Sequence, residues 1–228
     1  YYNKPLFDQG LQKDVLLHYP YESMDPFLQL VKEAAKDPRV LQIKITIYRL
    51  AKNARLVDYL CEAAENGKEV IVLIELKARF DEQNNIDYSA RLEDSGCTIM
   101  YGFENYKVHS KICQITRIKG KRIQSVTQIG TGNFNEKTVK LYTDLSYITA
   151  DKDINKDAAD FFNNMLIGKI DGQYHDLWIG PAQLKDRILQ AIDKQIALGP
   201  EGTITVKINS ITDTDSMERL SMASQAGV

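Results

Sequence analysis

The sequence predicts an α/β fold with a mixed sheet flanked by helices. Up to about residue 101, apolar strand-like segments alternate with helix-like segments, and beyond it two alternating segments are joined by a short turn. Strands separated by helices usually lie parallel, whereas a tight turn joins antiparallel strands. We therefore expect parallel strands in the first part of the sheet and antiparallel strands in the second.

The composition is that of a globular protein. Of 228 residues, 43% are hydrophobic and 26% are charged. Lys and Arg number 29 against 31 Asp and Glu, which leaves a net charge of -2. Such a chain has no global positive field for nucleic acid or an anionic membrane, so any polyanion must meet a local cationic cluster. We expect no nucleic-acid partner.

The cysteines and the first residues indicate the setting of the chain. Cys61, Cys97 and Cys113 fit neither a disulfide framework nor a metal knuckle, which favours the cytoplasm. The sequence opens with Tyr1 and Tyr2, without a leader or an initiator methionine. We expect a fragment of a longer protein, in which membrane association through other regions stays open.

The domain prediction follows the chain in order. Residues 1–38 are expected to be a lead-in from an upstream region, because four prolines interrupt one short helix-like stretch. Residues 39–170 are expected to form a catalytic domain and 171–200 a connecting helix. Residues 201–228 are expected to begin a second domain, because a strand-helix-Gly pattern there repeats the pattern at 41–67.

Each element is predicted from its periodicity. Alternating Leu and Ile predict a strand at 41–47, helical spacing predicts the next helix up to Gly67, and a continuous apolar run predicts a buried strand. The further strands are expected at 97–101, from 106, at 122–129, at 145–149 and at 204–209. The further helices are expected at 85–95, from 133, at 154–167, at 182–198 and from 218.

His109 and Lys111 are the first candidates for chemistry. A spacing of two on a strand puts both on one face, roughly 6.6 to 6.8 Å apart, so that both can touch one phosphoryl group. A neutral imidazole can attack phosphorus while the ammonium balances charge. The alternative is an ordinary pair on a half-exposed strand.

A glycine turn and two arginines add possible phosphate contacts. Gly130, Gly132 and Asn133 are expected to open a helix whose bare N–H groups face an anion, although an ordinary capped turn has the same pattern. Arg49 and Arg79 follow the carboxyl ends of neighbouring strands, where open α/β sheets bind ligands. The alternative for both is a solvated surface arginine.

Other charged features are weaker candidates. His18 and His175 lack a partner pattern and are expected to be structural. The basic turn at 119–122 is expected to be solvated, although it could steer a polyanion.

Taken together, five segments resemble the bacterial polyphosphate kinase 1 family over nearly the whole chain. The long string after Gly130 is the most specific of them. They are Ile47-Tyr48-Arg49, Glu75-Leu76-Lys77-Ala78-Arg79-Phe80-Asp81, Tyr106-Lys107-Val108-His109-Ser110-Lys111, Gly130-Thr131-Gly132-Asn133-Phe134-Asn135-Glu136-Lys137-Thr138 and Leu141-Tyr142-Thr143-Asp144.

The resemblance implies a phospholipase D-like fold with two α/β halves, of which the first is essentially complete here and the second only begun. It implies that His109 is phosphorylated and that Tyr142 contacts the nucleotide. It also implies a magnesium-phosphate site at Arg49 and Arg79. Because guanidinium has no acceptor, we expect these two arginines to hold phosphate oxygens rather than the metal itself.

The superfamily's His-Lys-Asn pattern suggests that Lys111 and Asn133 act with His109 in catalysis, with Gly130 and Gly132 binding phosphate. The Asp that the superfamily carries a few residues after the Lys is missing, and Thr116 lies in that region. This departure argues against ordinary phosphodiesterase chemistry.

By the same resemblance, the expected function is reversible transfer of the ATP γ-phosphate to inorganic polyphosphate, with Mg²⁺ as cofactor. The expected partners are ATP, ADP and polyphosphate, and the full-length protein is expected to form a homo-oligomer. The fragment alone is expected to be inactive. Two alternatives stay open: a phospholipase D-type phosphodiesterase or nuclease, and a non-catalytic polyanion-binding module.

Overall fold

A seven-stranded mixed sheet organises the first part of the chain in a computed structural model that describes residues 4–75 and 82–228. The strand order is β1-β7-β6-β5-β2-β3-β4, with β2, β3 and β4 parallel and the remaining neighbours antiparallel. The strands are β1 (Val15–Tyr19), β2 (Val40–Ile47), β3 (Glu69–Ile74), β4 (Thr98–Tyr101), β5 (Ile112–Lys119), β6 (Arg122–Gly130) and β7 (Asp144–Thr149). The predicted change from parallel to antiparallel pairing is confirmed.

Seven α-helices accompany these strands among the described residues. They are α1 (Leu6–Gly10), α2 (Asp25–Lys36), α3 (Arg55–Glu65), α4 (Glu82–Asp94), α5 (Lys152–Leu166), α6 (Leu184–Ile196) and α7 (Thr214–Gln225). Helices α3 and α4 connect the parallel strands, as the alternation of strand-like and helix-like segments in the sequence predicts. Each is followed by a glycine with positive φ, Gly67 at 79° and Gly96 at 92°, a conformation that favours glycine at a helix end.

One face of the sheet is apolar and carries the core. Ile43, Ile45 and Ile47 of β2 are at most 1% exposed, and they share one buried cluster with apolar residues of α2 and α3. Alternation along a strand places these three side chains on the same face, so the period-2 pattern defines the core side.

The opposite face of the sheet is polar and is covered by α5. Gln114 of β5 donates to the Asn155 carbonyl oxygen at 2.7 Å, and the Thr127 hydroxyl donates to Asn155 Oδ1 at 2.7 Å. The buried Lys44 ammonium donates to Asn163 Oδ1 at 3.2 Å. Buried polar groups need such partners, so α5 is held by hydrogen bonds as well as by apolar contacts.

Residues 1–38, expected as a lead-in, contribute α1, β1 and α2 to this same unit. Strand β1 pairs with β7, and Phe7 and Phe27 join the core cluster. Asp8 of α1 forms an ion pair with the fully buried Arg117 of β5, whose guanidinium also lies 4.2 Å from the Phe7 ring centroid. The start of the chain is therefore packed against the centre of the sheet.

The chain divides into two compact units, one up to Leu166 and one of Ile167–Val228. In the second unit α6 and α7 pack together, and Asp213 caps α7 by accepting from the Ser216 amide at 2.9 Å. Helix α7 and the positive φ of Gly227 confirm the helix predicted from 218.

The strand predicted at 204–209 is wrong. No described residue pairs with this segment, and Val206 and Ile208 are 55% and 59% exposed. An isolated extended segment leaves its backbone groups to water, so period-2 alternation alone does not make a strand.

All three cysteines are buried free thiols. Within residues 4–75 and 82–228, no helix combines the length and the hydrophobicity needed to cross a bilayer.

Candidate active site

The candidate residues come from chain segments that meet at one edge of the sheet. Strand β2 ends at this edge, β5 begins there beside it, and β6 ends there opposite the start of β5. Strand β7 also begins there, because Gly130 of β6 lies opposite Ser146. The topology therefore brings Arg49, His109, Lys111 and the glycine turn to the same end of the sheet.

His109 and Lys111 precede β5 rather than lie on it. The strand predicted from 106 begins only at Ile112, so the same-face argument for this pair is wrong. Hydrogen bonds of the Thr46 hydroxyl take the place of backbone strand pairing here. The hydroxyl donates to the Ser110 carbonyl oxygen at 2.8 Å and accepts from the Ile112 amide at 3.1 Å. This bridge fixes the backbone on both sides of Lys111.

His109 and Lys111 are nevertheless directly connected. The Lys111 ammonium donates a hydrogen bond to the carbonyl oxygen of His109. Lys111 is buried at 6% exposure, whereas His109 is exposed. A ligand can therefore reach His109, whereas the Lys111 ammonium is buried and bonded to the His109 backbone.

Tyr48 connects the cationic groups of the site. The centroids of the Tyr48 and His109 rings lie 4.7 Å apart, in an edge-on arrangement with an interplanar angle of 75°. The Arg49 guanidinium lies 5.3 Å from the same ring centroid, and the Lys111 ammonium lies 5.2 Å from it. Both distances are within the range of a cation–π contact.

The electrostatic setting of His109 favours the neutral imidazole. Partial burial lowers the pKa of His109 below its usual 6.5, and the charges of Lys111, Arg49 and Lys107 lower it further. Each of these causes acts against the imidazolium form. The ring is therefore unprotonated at neutral pH, as a nucleophile must be.

Burial also acts on the neighbouring lysine. It lowers the pKa of Lys111 from 10.5 to about 8, with the charge of Asp144 opposing the shift and that of Arg49 adding to it. The ammonium is thus retained at neutral pH but titrates far below an exposed lysine.

A buried carboxylate supports the segment on its other side. Glu75, which follows β3, is 4% exposed and accepts a hydrogen bond of 2.9 Å from the Val108 amide. Gly102 permits this packing, since a Cβ atom there would lie 2.9 Å from Val108 Cγ2 and 3.4 Å from Glu75 Oε2. The residue before His109 is therefore held in place by a side chain at the sheet edge.

The glycine turn is bound to both neighbouring segments. The Gly130 amide donates to the Lys111 carbonyl oxygen at 2.8 Å. The Thr131 hydroxyl donates to Asp144 Oδ1 at 2.8 Å, and a Cβ atom on Gly132 would lie 2.6 Å from Asp144 Cγ. Only glycine at position 132 leaves room for this close approach.

The short helix predicted from 133 does not begin there. Beyond the turn there is only a short 3₁₀ helix at Thr138–Lys140, and Asn135 Oδ1 rather than Asn133 accepts from the amides at its start, at 3.0 Å from Lys137 and 3.1 Å from Thr138. Position 133 therefore does not present a helix N-terminus to an anion.

Long-range anchors replace the predicted helix. The Phe134 ring stacks on Phe27 with centroids 4.7 Å apart. Glu136 accepts from the Arg55 amide at 2.9 Å and from Arg55 Nε at 2.7 Å, while the same guanidinium binds Asp25 at 2.9 Å. These contacts fix the backbone of the long string that follows Gly130.

The remaining predicted site residues are Asn133, Tyr142 and Arg79. Asn133 Oδ1 is buried and lacks a hydrogen-bond partner among the described residues. Tyr142 is 55% exposed, and no ring contact, ion pair or hydrogen bond within the described chain joins it to His109. Arg79 lies outside the described residues.

The basic turn at 119–122 lies at the opposite end of the sheet. Strand β5 runs from Ile112 beside the site to Lys119, a span of roughly 24 Å at the usual rise per residue. The turn is exposed, as expected, but it does not belong to the His109 edge.

Within residues 4–75 and 82–228, the side chains whose charges act on His109 do not form a ligand set for a bare Mg²⁺ ion. Those whose charges act on the imidazole are Lys111, Arg49 and Lys107, whereas Mg²⁺ requires oxygen ligands. Among the described residues, Asp144 is the carboxylate whose charge acts on Lys111. The donor set suits phosphate oxygens better than a metal ion.

Fold comparison agrees with this architecture. The phospholipase D family member Nuc from Salmonella typhimurium aligns with 72% of this chain and 97% of its own, with a TM-score of 0.51 and 16% identity. That likeness concerns the fold alone. With helices on both faces of a mixed sheet, the first unit has a phospholipase D-like α/β fold.

Sequence comparison is more specific. The profile of polyphosphate kinase C-terminal domain 1 matches residues 5–170, and that of C-terminal domain 2 matches residues 177–228. The chain belongs to the polyphosphate kinase family, which confirms the resemblance drawn from its motifs.

Individual relatives agree along the whole chain. The polyphosphate kinase of Staphylococcus epidermidis is 43% identical over 229 residues, which are 99% of this chain and 31% of the relative. The crystal structure of polyphosphate kinase from Porphyromonas gingivalis matches with a TM-score of 0.84 and 36% identity, covering 99% of this chain and 38% of that one. The chain thus spans about a third of the length of these relatives.

Proposed function

We propose that this chain carries the histidine that a polyphosphate kinase phosphorylates during its reaction. In the forward reaction the neutral His109 imidazole attacks the γ-phosphorus of ATP in line. A nitrogen–phosphorus bond forms, the bond from that phosphorus to the β,γ-bridging oxygen breaks, and ADP leaves with the oxygen. The proton on the other ring nitrogen stays in place.

In the second step a terminal oxygen of polyphosphate attacks the phosphohistidine. An oxygen–phosphorus bond forms, the nitrogen–phosphorus bond breaks and the polymer gains one unit. The reverse path makes ATP from polyphosphate.

The observation that carries this proposal is the charge around the imidazole. Within the described part of the chain, the charges that lower the pKa of His109 are those of Lys111, Arg49 and Lys107, so the ring stays neutral while positive charge is available for the phosphoryl oxygens. Two of these cations, Lys111 and Arg49, also contact the Tyr48 ring, which lies beside the imidazole.

We assign the other residues as phosphate contacts. Gly132 and Asn133 lie in the turn next to Lys111 and Asp144, and we expect their backbone N–H groups to face the transferred group or its neighbour in the polymer. The Gly130 amide already donates to the Lys111 carbonyl oxygen, so we expect Gly130 to act by holding the turn beside the phosphate. Tyr142 is assigned to the nucleotide and Arg79 to phosphate, both on the family resemblance. Mg²⁺, when bound, would neutralise charge on substrate phosphates and would enter the site as their complex.

Phosphoryl transfer requires mainly positioning and charge stabilisation. Arg49→Ala in a full-length kinase chain that carries this sequence is therefore expected to slow transfer by about 10³-fold or more.

The test is labelling of that full-length chain with γ-³²P-ATP. We expect acid-labile label in the unsubstituted protein and none in His109→Ala. His175→Ala, which removes an exposed histidine of the second unit, is the matched control and should label normally. Equal labelling of His109→Ala would contradict the proposal, and turnover of a chromogenic phosphodiester without any label would favour a phosphodiesterase instead.

A further inference from the structure

Tyr48 has no part in the function proposed above, yet it makes ring contacts with three groups of the site. It directly follows β2 and is half-buried. The centroid of its ring lies 4.7 Å from that of the His109 imidazole, 5.2 Å from the Lys111 ammonium and 5.3 Å from the Arg49 guanidinium.

We propose that Tyr48 is a positioning residue for phosphoryl transfer, whose ring orients the His109 imidazole and holds Lys111 and Arg49 beside it. This inference rests on the proposed role of His109 as the nucleophile. Tyr48 acts through its three neighbours and is not itself assigned a contact with the substrate.

An aromatic ring suits this position better than a carboxylate would. A carboxylate would pair with the N–H donors of Arg49 and Lys111 and would stabilise the protonated form of His109. A ring attracts cations through its electron-rich face without neutralising their charge or occupying their donors. The cations are thus held near each other and remain able to bind phosphate oxygens.

The ring adds a side-chain contact to the backbone hydrogen bonds around His109. The segment before β5 has no regular strand pairing at this point, and its backbone is fixed at Val108 by Glu75 and around Lys111 by Thr46. The imidazole is only partly buried, and its edge-on contact with the Tyr48 ring limits its rotation. In-line attack depends on such an orientation of the reacting nitrogen.

The first test is an NMR titration of the imidazole signals in this chain, which has three histidines. His109→Gln identifies the His109 signal. In Tyr48→Leu we expect the pKa of His109 to rise towards its ordinary value, because the ring shields the imidazole from water and keeps two cations close. Tyr48→Phe keeps the ring and should leave the titration unchanged.

Tyr59→Leu is the matched control for ring loss. Tyr59 is also half-buried and also has a lysine near its ring, with Lys32 Nζ 5.8 Å from the centroid, but it lies on α3. We expect no change in the His109 titration. Should Tyr48→Leu not fold, Tyr48→Met removes the ring at a similar volume and gives the same comparison.

The second test uses the full-length kinase chain and measures the rate of phosphoenzyme formation. Tyr48→Leu is expected to lower this rate at saturating ATP by about tenfold or more while KM changes less, and Tyr48→Phe is expected to restore it. An unchanged titration and an unchanged labelling rate in Tyr48→Leu would overturn the inference. Absence of label in the unsubstituted enzyme would instead remove the proposed function, and the titration would still decide whether Tyr48 controls the imidazole.

Discussion

The Gly130 amide donates a hydrogen bond of 2.8 Å to the carbonyl oxygen of Lys111. It joins the end of β6 to the residue that precedes β5, and so brings the glycine turn next to the His-x-Lys segment. Two motifs about 20 residues apart in the sequence therefore form one surface, because the β5–β6 hairpin folds the chain back on itself.

The pH dependence of phosphoenzyme formation tests the charge states of the site. The pKa of His109 is lowered from 6.5, so the rate should rise with pH along an acid limb that lies below 6.5. The pKa of Lys111 is lowered to about 8, so the ammonium that we propose as a phosphate contact is lost as the pH rises through that value and the rate should fall. The profile of kcat/KM in the full-length chain is the measurement, since it reports the free enzyme.

Lys111→Arg is the matched variant for this profile. A guanidinium stays protonated throughout the range, so the alkaline limb near pH 8 should disappear even if the overall rate falls. An alkaline limb that persists unchanged in Lys111→Arg would assign it to another group.

Thr46→Val tests the bridge that replaces the strand ladder. Thr46 is fully buried, and the change leaves the Ile112 amide without its acceptor at nearly constant volume. We expect a loss of about 1–3 kcal/mol in the free energy of unfolding, measured by urea titration with circular dichroism. Thr116→Val, which affects a half-buried hydroxyl pair with Ser125, is the control and should cost less. Equal losses would refute a special role for the bridge.

Gly132→Ala tests the close approach of the turn to Asp144. The added Cβ atom would lie 2.6 Å from Asp144 Cγ, so the turn and the Thr131–Asp144 hydrogen bond must shift. We expect affinity for tripolyphosphate, measured by calorimetry, to fall about tenfold, or roughly 1.4 kcal/mol.

The control is Gly67→Ala, which strains a residue with φ of 79° at the other end of the sheet and destabilises the fold without touching the site. If both variants bound tripolyphosphate like the unsubstituted chain, the turn would not be a phosphate contact.

The sequence predicted those elements whose periodicity reflects burial. Strands β2 and β3 and helix α3 followed from their apolar spacing and from Gly67. Strand β1 was missed, because five residues followed by Pro20 give little pattern by themselves and the pairing with β7 is long-range. The segment at 204–209 has a strand's alternation, but a strand also needs a neighbour.

The candidate site was predicted in the same uneven way. His-x-Lys spacing and motif resemblance both made His109 and Lys111 candidates, although they lie before a strand rather than on it. It did not identify Tyr48, whose contacts depend on how β2 and β5 are placed side by side. The available signal was its position directly before Arg49 at a strand's carboxyl end. The short helix predicted from 133 does not begin there because Phe134 and Glu136 are held by Phe27 and Arg55, far away in sequence.

The most direct test of the account is a tripolyphosphate titration of this chain followed by two-dimensional NMR. We predict that the amide signals of Lys111, Gly132 and Asn133 and the imidazole signals of His109 shift together with one common Kd. The amides of the basic turn at 119–122, at the far end of the sheet, should stay unchanged. Shifts confined to that turn, with the His109 edge silent, would contradict the claim that these distant segments form a single phosphate site.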